Sequence, residues 1–229
     1  MGEKHERERQ RHDVELDALL TSEQGRLKYW SDLWHECQQD SMISLLGSTL
    51  HLPGDVIECG VYRGGSLFKI CREIVDRSAS KTIYACDSFE GFPDDKVGKE
   101  DQSFLRPVRK LRSKFKLADD VPDRIGRFST HYNVPISVLR GFFSETLPIV
   151  SEKEFCFIHL DVDIYKSYKE CLTVLFPQLL PGGIVAFDDY GSSKWPGAKK
   201  AVDEYFSNRA EAVSESTARE IPAWYVQKT

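Results

Sequence analysis

Four aspartates carry most of the chemistry available to this sequence. Asp161 and Asp163 follow the apolar run Phe155-Cys156-Phe157-Ile158-His159-Leu160, and Asp188 and Asp189 follow Ile184-Val185-Ala186-Phe187. Converging carboxylates repel one another unless positive charge sits among them. An all-oxygen set selects Mg2+ or another hard divalent cation, such as Ca2+, over zinc. Asp161, Asp188 and Asp189 are the candidate metal ligands. Asp163 stands just ahead of a helical pattern, where a carboxylate caps a helix N-terminus. His159 shares a strand face with Asp161 and is a candidate base, although a satisfied sheet histidine is its commoner role.

These acids need elements to hold them. Between the two runs, Tyr168, Cys171, Leu172, Leu175, Phe176 and Leu179 recur at helical spacing, and Pro181-Gly182-Gly183 punctuates the return. Strand, helix and strand make a right-handed parallel unit. Both acid pairs then emerge at the C-terminal edge of the sheet, where open α/β sheets bind ligands. Upstream, strands are predicted over Asp55–Cys59, Thr82–Cys86 and Ile136–Leu139. Between them lie a helix carrying Leu67, Ile70, Cys71, Ile74 and Val75 and a short one carrying Val121, Ile125 and Phe128. Downstream, Pro196 opens a helix with Ala201, Val202, Tyr205 and Phe206, and strands near Ala212–Ser214 and Ala223–Gln227 finish the chain. This alternation predicts a doubly wound α/β sheet.

The domain organisation follows. Residues 1–13 form a charged, solvated tail, and residues 14–50 form two or three N-terminal helices on Leu16, Leu19 and Leu20, then Leu27, Trp30, Trp34 and Cys37, then Met42, Leu45 and Leu46. These helices pack on the domain, or act as a lid or a homo-oligomer surface. Residues 51–229 form the α/β domain, with a polar insert over 92–119. Within the insert, Arg106, Arg109, Lys110, Arg112, Lys114 and Lys116 make either a solvated basic face or a contact to a substrate phosphate.

A second motif opens the domain. Glu58-Cys59-Gly60-Val61-Tyr62-Arg63-Gly64-Gly65-Ser66 follows a strand and opens a helix, the setting for a nucleotide or anion at a helix N-terminus. The spacing differs from the dinucleotide G-x-G-x-x-G and resembles the first motif of S-adenosylmethionine-dependent methyltransferases. Glycine there lets the backbone approach the methionine and ribose, with Glu58 as a nearby acceptor. Asp87, ending the second strand, is suited to accept the ribose hydroxyls. Phe89 either stacks near the adenine or packs in the core. Gly141-Phe142-Phe143-Ser144 follows the third strand, where the adenine edge lies.

Bulk properties narrow the field. A chain of 229 residues suits one domain with or without an appendage. A net charge of −5 argues against a dedicated nucleic-acid binder. The six cysteines form no C-x-x-C pair and are expected to be reduced core residues of a cytoplasmic protein. No run reaches the ~18 apolar residues of a membrane span, and no signal-peptide core opens the chain.

Together the motifs resemble the macrocin O-methyltransferase (TylF) family, which methylates sugar hydroxyls. The resemblance rests on the Pro53–Ser66 stretch, Asp87-Ser88-Phe89-Glu90-Gly91, Gly141–Pro148, Leu160–Ser167 and Pro181–Gly191. It implies a Rossmann-like sheet of seven strands with the last antiparallel. It further implies S-adenosylmethionine bound by Glu58, Gly60, Tyr62, Gly64, Gly65, Ser66, Asp87, Ser88, Phe89, Gly141, Phe142 and Phe143. Mg2+ would sit on Asp161, Asp188 and Asp189, with Asp161 also the catalytic base. The expected acceptor is a hydroxyl of a sugar, a nucleotide-linked sugar or a glycosylated small molecule. A catechol or phenol acceptor would use the same metal geometry. A nicotinamide oxidoreductase is disfavoured by the glycine spacing, and a non-catalytic binding module by the convergence of the acids. The segment before Pro53 and the insert depart from the family pattern, so the acceptor is less constrained than the cofactor.

Overall fold

The computed structural model describes residues 21–93, 97–101 and 121–229. The 1–13 tail, the Leu16, Leu19 and Leu20 pattern and the basic run Arg106 to Lys116 lie outside the described residues.

Seven strands form one sheet: β1 (Asp55–Cys59), β2 (Ile83–Asp87), β3 (Ile136–Arg140), β4 (Phe155–Leu160), β5 (Leu179–Phe187), β6 (Ser214–Ser216) and β7 (Ala223–Gln227). Their spatial order is β3-β2-β1-β4-β5-β7-β6. The first five are parallel, and β7 runs antiparallel to both β5 and β6. The doubly wound sheet with its last strand antiparallel is therefore the observed architecture. All of β4 is buried, which explains its unbroken apolar run: a central parallel strand covered on both faces has no solvent side to alternate toward.

Register positions the site. Cys59 of β1 pairs with Leu160 of β4, which pairs with Phe187 of β5. The next residues, Gly60, Asp161 and Asp188, therefore leave the sheet side by side, the Asp161 amide donating to Cys59 O and the Asp188 amide to Leu160 O.

Helices cover both faces. On one lie α1 (Glu23–Gln39), α2 (Ser41–Thr49), α3 (Gly65–Asp76) and α4 (Val121–Tyr132), whose Leu33, Ile43, Leu46, Ile70 and Phe128 share a core. On the other lie α6 (Tyr165–Gln178) and α7 (Pro196–Phe206), with Tyr168, Leu172, Ala201 and Val202 in a second core. The short α5 (Phe143–Thr146) follows β3.

Several boundaries differ from expectation. The α1 stripe holds in part: Trp30 and Cys37 pack inward as expected, whereas Leu27 and Trp34 are 66% and 41% exposed and Leu33 is buried. Tyr29 packs edge-on to Phe68, and Trp30 stacks 4.0 Å from Tyr132. Val75, at the end of the α3 stripe, is exposed. β2 starts one residue later than predicted, and β6 two residues later. Pro181-Gly182-Gly183 is a bulge inside β5 rather than a turn before it, because Gly182 at φ +81° lets the strand resume pairing at Ile184. The bulge is tied to the C-terminus, with the Gly182 amide on Lys228 O and the Lys228 amide on Gly183 O. All six cysteines are buried free thiols. Among the described residues no helix is long and apolar enough to cross a membrane.

Candidate active site

The glycine turn between β1 and α3 is built by close approach. Gly60 has φ +86°, and a Cβ there would sit 1.8 Å from the Asp161 carbonyl oxygen, so only glycine lets the first loop pack under the acid-bearing one. Gly64, also left-handed at φ +89°, is the N-cap of α3. Gly65 and Ser66 begin the helix and, with Gly64, shape the turn rather than line the cavity beside it.

Asp87 ties the turn down. Its Oδ2 accepts the amides of Val61 and Tyr62, each at 2.8 Å, and its Oδ1 accepts the Phe89 amide at 2.7 Å. A carboxylate has about four acceptor sites, so three are engaged. Acceptor capacity remains on Oδ1, which takes one of the three amides.

The cavity joins three groups of predicted residues. Gly60, Tyr62, Asp87 and Ser88 form one wall, Gly141, Phe142 and Phe143 another, and Asp161 and Asp163 stand with Val162 and Ser167 at the acid end. Gly91, Phe92 and Pro93 complete the lining. Two expected cofactor residues lie behind the walls. Phe89 is buried in the core, because the chain turns left-handed there at φ +54° while Asp87 holds its amide. The aromatic that this segment presents to the cavity is Phe92, passed over in the sequence although Ser-Phe-Glu-Gly-Phe-Pro offers both rings. Glu58 is also fully buried, because register sets it opposite His159, whose Nδ1 lies 2.9 Å from its Oε1. His159 is thus the satisfied sheet histidine.

At the acid end, Asp161, Asp163 and Asp189 each bring one oxygen within 4.8 Å of the others. The trio expected from the sequence has Asp188 in the place of Asp163. The Asp188 backbone still continues the strand ladder through its amide, and successive residues there project to opposite sides. Asp189 therefore turns inward to 4% exposure while Asp188 faces solvent. Asp188 nonetheless remains part of the electrostatic site, its charge raising the pKa of both Asp161 and Asp189.

Asp163 is drawn in by a left-handed residue conformation, φ +58°, that aims its amide at Asp189 Oδ2 at 2.9 Å. Its expected role as helix cap passes to a residue far away in sequence: Asp101 Oδ1 accepts the first α6 amide, that of Tyr165, at 2.9 Å.

Burial and the charges of Asp188 and Asp189 hold the Asp161 carboxyl well above the usual carboxylate range. Asp189 is pushed up to about 6 by burial and the Asp188 charge, partly offset by the Asp163 amide and the Tyr168 hydroxyl. Burial lowers the pKa of His159, but hydrogen bonding and charge from Glu58, then Asp188 and Asp161, outweigh it and raise the imidazole to about 9. A protonated His159 therefore sits beneath the acids, where its charge lowers the pKa of Asp161 and Asp189.

Residues 43–219 match the family model described as macrocin-O-methyltransferase (TylF). Demethyldecarbamoylnovobiocin O-methyltransferase of Streptomyces niveus is 32% identical over 163 residues, 68% of this chain and 59% of that protein. Mycinamicin III 3''-O-methyltransferase of Micromonospora griseorubida is 29% identical over 162 residues, 67% of this chain and 61% of that protein. The chain therefore spans about three fifths of the length of these relatives. Among solved structures, the O-methyltransferase NovP superposes with a TM-score of 0.66 at 27% identity, covering 82% of this chain and 78% of that one. CalS11, a calicheamicin methyltransferase, gives 0.70 at 25% identity, covering 86% and 78%.

Proposed function

The chain belongs to the macrocin O-methyltransferase (TylF) family, and from that premise we propose that it transfers a methyl group from S-adenosylmethionine to a hydroxyl of a sugar, a nucleotide-linked sugar or a glycosylated natural product. The observation that carries this reading is one cavity with a glycine turn and Asp87 on one side and converging carboxylates on the other. The names of the curated relatives, each an O-methyltransferase acting on a natural product, support it.

The residues fit both groups that the reaction would use. For the cofactor, the turn at Gly60 leaves no room for a Cβ, and Asp87 keeps one acceptor site open toward the cavity. For a metal, three carboxylate oxygens converge at the cavity's acid end, and burial together with the neighbouring Asp188 charge raises the pKa of Asp161 and Asp189, a cost that a cation would relieve. S-adenosylmethionine, when bound, supplies a methyl group activated by its sulfonium. A hard divalent cation held by Asp161, Asp163 and Asp189, with Asp188 in electrostatic reach, supplies positive charge that favours ionising an acceptor hydroxyl.

The chain's own residues do the rest. Asp161, which lines the cavity at its acid end, accepts the hydroxyl proton. Asp163 is the second reading for that role, because it lines the same cavity and belongs to the same trio. Phe92, Phe142 and Phe143 give the cavity apolar walls away from its acid end, which helps exclude water from a transfer that brings opposite charges together and cancels them.

The test is mass spectrometry of nucleotide-sugar and glycoside mixtures incubated with the protein, S-adenosylmethionine and Mg2+. One methyl gained, lost in chelator and restored by Mg2+, is expected. Methylation undiminished in chelator would remove the cation from the proposal. A protein that binds neither S-adenosylhomocysteine nor Mg2+ would overturn it.

A further inference from the structure

Resting on the cation site proposed above, we propose that Tyr168 is a positioning residue that locks the Asp189 carboxylate so that a single oxygen, Oδ1, is offered to the cation.

Tyr168 projects from α6 into the core beneath the acids and is fully buried. Its hydroxyl lies 3.2 Å from Asp189 Oδ2 and 3.0 Å from Leu160 O, and it accepts the Asp189 amide at 3.3 Å. The phenol has one proton for two acceptors. Leu160 O already receives the Asp188 amide at 3.0 Å, and a hydrogen bond to a carboxylate is stronger than one to a neutral carbonyl, so the proton favours Asp189.

Oδ2 then holds two donors, the Tyr168 hydroxyl and the Asp163 amide at 2.9 Å. Among the described residues, Asp189 Oδ1 has no hydrogen-bond partner. The carboxylate is thereby pinned against rotation, with one oxygen satisfied by protein and the other available. Outer partners of this kind orient ligands, and removing one weakens metal binding by about 10- to 100-fold. A ligand restricted to one oxygen also suits the small octahedral Mg2+, whereas Ca2+ readily takes both oxygens of a carboxylate.

The experiment is calorimetric titration of the full chain with Mg2+ alone and with Ca2+ alone, comparing wild type with Tyr168→Phe. Phenylalanine keeps the buried ring and leaves Leu160 O its amide donor. S-adenosylhomocysteine affinity and melting temperature of the variant report that the fold is retained. The expected result is a loss of Mg2+ affinity of about 10-fold or more with a smaller loss for Ca2+, so that preference moves toward Ca2+. Unchanged Mg2+ affinity, or equal losses for both ions, overturns the positioning role while leaving the cation site standing. A wild-type chain that binds neither ion overturns the site and this inference together.

Discussion

The carboxylate of Asp87 lies 2.8 Å from the amide of Tyr62, closing the glycine turn from the neighbouring strand. The same oxygen takes the Val61 amide, so the residue expected to meet a ribose also sets the shape of the loop beside it. Asparagine cannot replace it, since one of its two polar atoms would present hydrogens to backbone hydrogens. Hydrogen bonds to charged groups contribute about 1.5–3 kcal/mol. Asp87→Asn is therefore expected to weaken S-adenosylhomocysteine binding by about 10- to 100-fold and to lower the melting temperature. Calorimetry showing wild-type affinity would separate the tether from cofactor recognition.

Gly60 joins the two halves of the site. A methyl group there would meet the Asp161 carbonyl oxygen at 1.8 Å on a backbone held at φ +86°. The clash is with backbone, which cannot swing aside as a side chain can. Gly60→Ala should cost about 2 kcal/mol or more, measured by urea unfolding, and should displace Asp161 enough to abolish turnover. Stability within about 0.5 kcal/mol of wild type would contradict the close approach.

Asp188 and Asp189 are adjacent in sequence but unequal in the structure. Asp189 is inward and held by Tyr168 and the Asp163 amide, whereas Asp188 faces solvent. Asp189→Asn should eliminate Mg2+ binding, while Asp188→Asn should weaken it by a smaller factor, as loss of a nearby charge does. Asp163→Asn should fall closer to the Asp189 change. Titrations that rank Asp188 as the more damaging position would restore the ligand set expected from the sequence.

Asp101 supplies a cap that the local sequence lacks. Its Oδ1 accepts the Tyr165 amide and its Oδ2 the Gly98 amide. Gly197 at the start of α7 leaves it room, since a Cβ there would meet Asp101 Oδ1 at 1.9 Å. Asp101→Ala should cost about 1 kcal/mol, as loss of an N-cap does, and Gly197→Ala should cost at least as much. Equal melting temperatures for Asp101→Ala and wild type would deny the capping role.

The β4–α6–β5 unit was legible because its signals are local: two apolar runs, a helical period between them and turn residues at the return. The glycine turn was legible for the same reason. Side-chain directions were not. Residues 27, 30, 34 and 37 satisfy a helical stripe as well as 29, 33 and 37 do, and the fold mixes the two: Tyr29 and Trp30 both reach Phe128, Leu33 is buried, and Leu27 and Trp34 are left exposed. Phe89 and Asp163 both sit at positive φ, a conformation that non-glycine residues seldom announce, and each turned a side chain away from its expected place. The Asp101 cap lies 64 residues before its partner. Which of Asp188 and Asp189 turns inward depends on where the β5 ladder ends, a matter of one residue that composition does not specify.

The buried Glu58–His159 pair makes the metal-free protein sensitive to alkali. His159 titrates near 6.5 when unfolded and is raised to about 9 in the fold. The folded state therefore binds the extra proton between those values. Its contribution is fully present below about pH 6.5 and lost as pH rises through about 9. Asp189 acts in the same direction lower down: its carboxyl is raised from 3.8 to about 6, so its part of the decline is complete near neutrality. In chelator, the melting temperature should fall between pH 6.5 and 9.5, the loss being on the order of 1–3 kcal/mol. The double change Glu58→Gln with His159→Gln removes the charges while keeping two polar groups within hydrogen-bonding reach, and should flatten that limb. The other arm is saturating Mg2+: positive charge at Asp161 and Asp189 opposes protonation of the imidazole, so the cation should shift the decline to lower pH. A double variant whose melting temperature falls as steeply as wild type would show that another group titrates there.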